Sequence, residues 1–201
     1  MLARLIEATS SDDDVVADML EPFVREHSEV RDALLAYVRR TPTWMTIRII
    51  APLFPDDAEV RAVLLDCVAH EQSYVRMWTF DEIGRFAAQD AEVRAALLRG
   101  LDDSSVYMRG MAIKQLGKLA GHDDEVRAVL LAHLADESYE MTFSLIAALG
   151  PHIARDDVRD ALLVYLERDG THEQTELVQH LGSLLPQYAA IRERVLDLLR
   201  T

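Results

Sequence analysis

The chain has 201 residues, half of them apolar, and its 35 acidic side chains against 21 basic ones give a formal charge of −14. That size and apolar fraction suit one domain with a continuous core, and the charge argues against whole-surface attraction to nucleic acid or an anionic membrane. Cys67 is the only cysteine, which excludes an intramolecular disulfide and a cysteine-built zinc site.

No apolar run approaches the ~20 residues a membrane helix needs, and the segment Met1 to Glu7 lacks the apolar stretch of a signal peptide. The expected location is therefore cytoplasmic. Lys114 and Lys118 are the only lysines, the other basic residues being arginines. With the many alanines, this points to a GC-rich bacterial genome by codon usage.

Taken in order, the elements repeat. A short helix over Leu2 to Glu7 comes first, with little evident capping. Then Glu29-Val30-Arg31, Glu59-Val60-Arg61, Glu92-Val93-Arg94 and Glu125-Val126-Arg127 each open a helix, here called type A, and each runs into a Leu-Leu pair. The phrase loosens to Asp157-Val158-Arg159 and Ala190-Ile191-Arg192. The six Val/Ile positions recur at steps of about 30–33 residues, the period of stacked supersecondary units.

Apolar residues at Val126, Val129, Leu130, Leu131 and Leu134 give each A helix a wide apolar face. The six Val/Ile positions are expected to be buried. Asp56-Asp57, Asp123-Asp124 and Asp156-Asp157 stand where an N-cap is wanted.

A second helix, type B, follows each A helix. The copies align on Ile50-Ala51, Ile83-Gly84, Leu116-Gly117, Leu149-Gly150 and Leu181-Gly182, where a small residue lets two helices approach closely. One turn earlier Ile47, Phe80, Ile113, Ile146 and Val178 are expected core. Strand signals are missing. The expected fold is all-α, with units starting near residues 1, 29, 59, 92, 125 and 157 and a terminal helix over 190–200. In that last helix Arg194 replaces the aliphatic residue of earlier copies, which suits an uncovered end of the stack.

Val75-Arg76 with Phe80 and Ile83-Gly84, and Met108-Arg109 with Ile113 and Leu116-Gly117, resemble the second helix of a HEAT repeat, above all the short variety of bilin lyases. Asp103, six residues before Arg109, resembles the Asp/Arg pair that ties neighbouring HEAT repeats together. The resemblance implies a right-handed α-solenoid of about six helix pairs whose B helices line a concave face.

In that frame Trp44 and Arg48, with Met45 and Ile49, project into the groove from the first complete B helix. The next contributes Tyr74, Met77, Trp78 and Arg85, and the third Tyr107, Met111, Lys114 and Lys118, with Gln115. Phe143 follows on the fourth. Aromatic and Met side chains are over-used at binding surfaces. Arg48, Arg85, Lys114 and Lys118 form a candidate local site for an anionic ligand or acidic peptide.

His172, Glu176 and His180 share one helix stripe and are weak metal-ligand candidates. Two imidazoles eight residues apart lie about 12 Å apart along a helix, so one ion would need help from a second helix, such as Glu140. The pairs His70-Glu71 and His172-Glu173 are similar to those of the di-iron enzyme deoxyhypusine hydroxylase. The equivalent places hold Met77, Gly110, Phe143 and Thr175, so no iron site is implied. Trp78 with Asp81 superficially suits a HEAT-like DNA glycosylase, against which the acidic chain argues. Cys67 reads as packing.

The favoured reading is a scaffold holding a protein or peptide partner on the concave face, with no cofactor and no membrane or nucleic-acid partner. The alternative is an enzyme or lyase-like protein acting on a small molecule or modified peptide in the same groove. A module of a larger assembly is a third.

Overall fold

The computed structural model describes residues 20, 22–136, 139–166, 192 and 193, and every regular element among them is helical. The chain divides into two compact units, Met1–Gln115 and Leu116–Thr201.

In the first unit the helices alternate by type. Ser28–Arg40 (α1), Ala58–Val68 (α3) and Ala91–Gly100 (α5) are A helices. Trp44–Ile50 (α2), Ser73–Ile83 (α4) and Val106–Gly117 (α6) are B helices, the last ending two residues into the second unit. Within a pair, α1 packs on α2 and α3 on α4. Between pairs, α1 packs on α3 and α2 on α4. Stacking A on A and B on B is the solenoid arrangement the period predicts. The second unit repeats it, with Asp124–Asp136 (α7) packed on both Tyr139–Leu149 (α8) and Asp156–Leu166 (α9).

The apolar stripe explains what each helix buries. Val60, Val93, Val126 and Val158 are all fully buried, whereas Val30 is only partly covered and Ile191 lies outside the described residues. The buried stripe is narrower than the sequence suggests, because Leu65, Leu98 and Leu131 are only half-covered. Ile47, Phe80, Ile113 and Ile146 are core, as expected. Val178, the Leu181-Gly182 pair, Arg194 and the segment Leu2 to Glu7 fall outside the described residues. Cys67 packs in the core. Burial, with Asp66 adding, pushes its thiol up to about 11, which leaves it inert at neutral pH.

The A helices α3 and α5 each start on an aspartate that does two jobs. Asp57 Oδ1 accepts from the amides of Glu59 and Val60 at 2.9 and 3.1 Å, and its Oδ2 takes Arg31 Nη1 of the preceding A helix at 2.7 Å. Asp90 likewise caps Glu92 and Val93 and pairs with Arg61. In the second unit Arg127 donates to Asp157 at 2.7 Å and to the Ala120 carbonyl at 3.0 Å. The arginines of these Glu-Val-Arg phrases thus reach forward to the start of the next A helix. A second ladder runs at the B-helix starts. Arg76 Nε and Nη2 grip Asp103 at 2.8 and 2.7 Å, and Arg109 Nη1 donates to the Asp103 carbonyl at 3.0 Å.

These contacts set the acid response. Burial pushes Asp57, Asp90 and Asp103 up, but their arginine partners and the capped amides outweigh it and hold all three below the usual carboxylate range. In Asp157 the Arg127 hydrogen bond is the largest influence and also lowers it. As pH falls past about 4, the unfolded chain takes up protons before the folded one does. Stability is therefore complete above that value and drains away as the folded carboxyls titrate. A melting series by circular dichroism between about pH 6 and 2.5 should show Tm falling only below about pH 4. The fall should be shallower for Asp103→Asn. A flat profile would mean that the ladders contribute nothing.

Candidate functional site

The A-to-B turns of the first two described pairs face each other across an open cleft of about 560 Å³. One wall is Arg40, Thr41, Pro42 and Thr43, and the other is His70, Glu71 and Gln72, with Tyr74 and Trp78 one turn apart on α4.

Both walls are stiffened locally. Thr43 caps α2 by a reciprocal box: its hydroxyl accepts from the Thr46 amide at 3.3 Å, and Thr46 Oγ1 accepts from the Thr43 amide at 3.1 Å. On the other side His70 Nδ1 accepts from the Gln72 amide at 3.1 Å, so in the neutral ring the proton is on Nε2. Arg76 Nη1 donates to the carbonyls of His70 and Glu71 at 2.8 and 2.9 Å while its other nitrogens hold Asp103. His70 is thereby a turn residue.

The aromatic floor is preorganised too. The Tyr74 and Trp78 rings meet at 4.8 Å between centroids with a 58° tilt. The Tyr74 hydroxyl donates to Gln72 Oε1, leaving that side chain's Nε2 end to donate to a ligand. Tyr74 is 44% exposed and Trp78 half-buried. Such a site offers ring faces, amide donors and side chains of both charge signs.

Several residues expected in the groove fall elsewhere. Met45, Ile49 and Gln115 are buried, at 4%, 1% and 1% exposure. Gln115 folds against Gly84 and donates to Asp81 Oδ1 at 3.3 Å, so it closes the seam between α4 and α6. Trp44 opens α2 half-buried and is not among the residues lining the cleft. Met77 and Met111 are half-buried, and Tyr107 is 79% exposed.

The basic cluster is partly neutralised. Lys114 Nζ lies 3.3 Å from Asp81, and Arg85 lays its guanidinium over the Phe86 ring at 5.0 Å. Arg48 is half-buried. Lys118 and the 41%-exposed Phe143 belong to the second unit. His172, Glu176 and His180 lie outside the described residues, among which no group of three or more His, Cys, Asp or Glu could hold a metal ion. No described helix is long and apolar enough to cross a membrane.

The residues that sequence reasoning missed are Gln72 and the 40–43 wall. Their signal was the turn composition Arg40-Thr41-Pro42-Thr43 before a helix, visible as a cap and not as a ligand surface.

No curated protein matches the chain. The family model for HEAT repeats matches residues 61–150, the stretch from α3 to just past the end of α8. With the stacked A and B helices and the Asp/Arg ladders, that match identifies residues 61–150 as HEAT repeats.

Proposed function

We propose that this protein is a binding scaffold that holds a protein or peptide partner on its B-helix face. In the first unit Tyr74, Trp78, Tyr107 and Met111 would act as anchors, and Trp44, Arg48, Met77, Arg85 and Lys114 as surrounding contacts. Lys118 and Phe143 would offer contacts of the same kind on the second unit. The observation that carries the reading is the Tyr74–Trp78 ring pair, left accessible above a cleft whose walls are fixed by hydrogen bonds. A folded chain ordinarily hides a tryptophan and tyrosine in contact, and rigid aromatics beside amide donors are what interface hot spots use. The open form of the cleft favours this over catalysis on an enclosed small molecule.

The test is site-specific photocrosslinking in cells. A photoreactive residue at Tyr107, on the B face, should trap a partner. One at the exposed Ala62 of the A helix α3 should not. Equal trapping from both positions would sink the assignment of the face. Trp78→Ala is expected to weaken capture of that partner about tenfold, with Tm falling by no more than a few degrees. A large drop in Tm with unchanged affinity would make Trp78 a core residue instead.

A further inference from the structure

The cleft stands where a tie between repeats is missing. At the next seam Arg76 reaches across to Asp103 and fills the space with a largely buried ion pair. One repeat of 33 residues earlier, the same two places hold Thr43 and His70, and both line the cleft. Neither side chain makes the tie. The Thr43 hydroxyl is held by the Thr46 hydroxyl at 3.0 Å, and His70 Nδ1 is turned to the Gln72 amide of its own turn. The seam between the first two pairs is therefore closed at the start of α3, by Arg31 and Asp57, and open at the A-to-B turns.

The open seam leaves opposite charges on its two sides. Arg40 lines the first-repeat wall and Glu71 the second-repeat wall. Both are exposed, and no described residue forms an ion pair or a side-chain hydrogen bond with either. The Arg40 guanidinium lies 5.6 Å from the centroid of the Tyr37 ring. A smaller hollow of about 120 Å³, which shares Pro42 and His70 with the cleft, has the same polarity, with Arg39 from the first repeat and Asp66 from the second. Arg85 and Lys114 do not line the cleft.

A ligand that complements these walls carries both signs. On the second-repeat side a cation meets the Glu71 carboxylate beside the Tyr74 and Trp78 rings, a setting that suits a Lys or Arg side chain. On the first-repeat side a carboxylate meets the Arg40 guanidinium beside the Thr41 hydroxyl. The Nε2 end of Gln72 is left to donate to a carbonyl. A peptide main chain has such a carbonyl between its charged side chains.

We infer that the cleft binds a peptide segment of mixed charge, with a Lys or Arg side chain between Glu71 and the two rings and an Asp or Glu side chain at Arg40. The inference rests on the scaffold reading above and names the chemistry of its partner, and the experiment separates the two.

The full chain is panned against a random library of short peptides fused at both ends, so that only side chains carry charge. Parallel selections use Glu71→Lys and Arg40→Glu, substitutions at exposed side chains, with folds checked by circular dichroism. Should either reversal not fold, Glu71→Gln and Arg40→Gln remove the charge alone.

The parent should select peptides that combine a base with an acid. The Glu71→Lys pool should lose the base and keep the acid, and the Arg40→Glu pool the reverse. A peptide from the parental pool should lose about tenfold in affinity on either substitution, and its binding should weaken as salt is raised. Exchanging its acid and base should abolish binding to the parent and restore it on the double variant. Peptides that are lost on Tyr74→Ala, yet carry a single charge sign or ignore both charge reversals, overturn the ligand class and leave the scaffold standing. Mixed-charge peptides that bind the double variant as well as the parent overturn the inference in the same way. Selection of no peptide that depends on the rings overturns both.

Discussion

Arg76→Ala is expected to destabilise the first unit by about 3 kcal/mol, more than a typical surface arginine could. Its side chain is 13% exposed and that of Asp103 is 14%, so the pair is largely out of water. Four hydrogen bonds leave with the guanidinium, two to Asp103 and two to the carbonyls of His70 and Glu71. Asp103 keeps its Ser105 amide at 2.9 Å and the charge of nearby Arg109 but loses its paired guanidinium, and two turn carbonyls lose their donor. A carboxylate near the core stripped of its paired guanidinium costs more than the pair itself contributes.

Arg76→Lys should recover little, because an ammonium cannot bridge a carboxylate and two carbonyls from one planar fork. Urea denaturation followed by circular dichroism gives the number. A loss below about 1 kcal/mol would place this pair with ordinary surface ion pairs. The substitution has a second consequence. Since Arg76 fixes the 70–72 turn, its loss should loosen the cleft wall and weaken ligand binding even where the chain stays folded.

How much of this could be read beforehand depends on the kind of contact. Burial of Val60, Val93, Val126 and Val158 follows from a helical period in a repeated phrase, which is a property of the sequence alone. So does the cap role of Asp57 and Asp123, since the partner amides are two or three residues away. The arginine ladder was half visible. Arg31, Arg61 and Arg127 recur beside the valine of the phrase, yet their acceptors lie 26, 29 and 30 residues on, and only the stacking of one A helix on the next brings them together.

The candidate site was less legible. Met45 and Ile49 share the B-helix frame with Trp78 but are buried, because a helix face in a stack has two sides: one meets the neighbouring repeat and one meets solvent. Helical spacing does not say which is which. The cleft itself needs residues from two turns separated by about 30 residues of sequence, a distance set by the repeat period. Its donors, Gln72 among them, carry no motif.

The small residues of the B helices were readable as close-approach positions, and Gly117 makes the most testable case. It sits at the end of α6 with an ordinary helical backbone, since no described glycine has a positive φ, so conformational freedom is not its purpose. Its purpose is space. A Cβ there would lie 2.6 Å from Ala148 Cβ and 3.0 Å from Ala148 Cα. Neither clash can be eased by a side-chain rotation, because Ala148 Cβ is fixed to the backbone of α8, which is itself held by buried Leu145, Ile146 and Leu149. His152 adds a constraint. Its Nε2 donates to the Gly117 carbonyl at 2.9 Å, which ties the end of one B helix to the 3₁₀ turn after the next.

Two effects therefore oppose each other in Gly117→Ala. Alanine gains about 0.8–1 kcal/mol of helix propensity, and overpacking costs about 1–3 kcal/mol. The short approach to Ala148 decides for overpacking, giving a net loss. Gly117→Val adds two further methyls and a β-branch, and should cost about 3 kcal/mol. Adding Ala148→Gly to Gly117→Ala removes the clash between the two methyl groups and leaves the one with the backbone, so the double variant should recover part of the loss. A thermal-melt double-mutant cycle measures that coupling directly. A Gly117→Ala variant more stable than the parent would show that the end of α6 can move away from Ala148 without cost, and that the glycine of the repeat is not a packing residue.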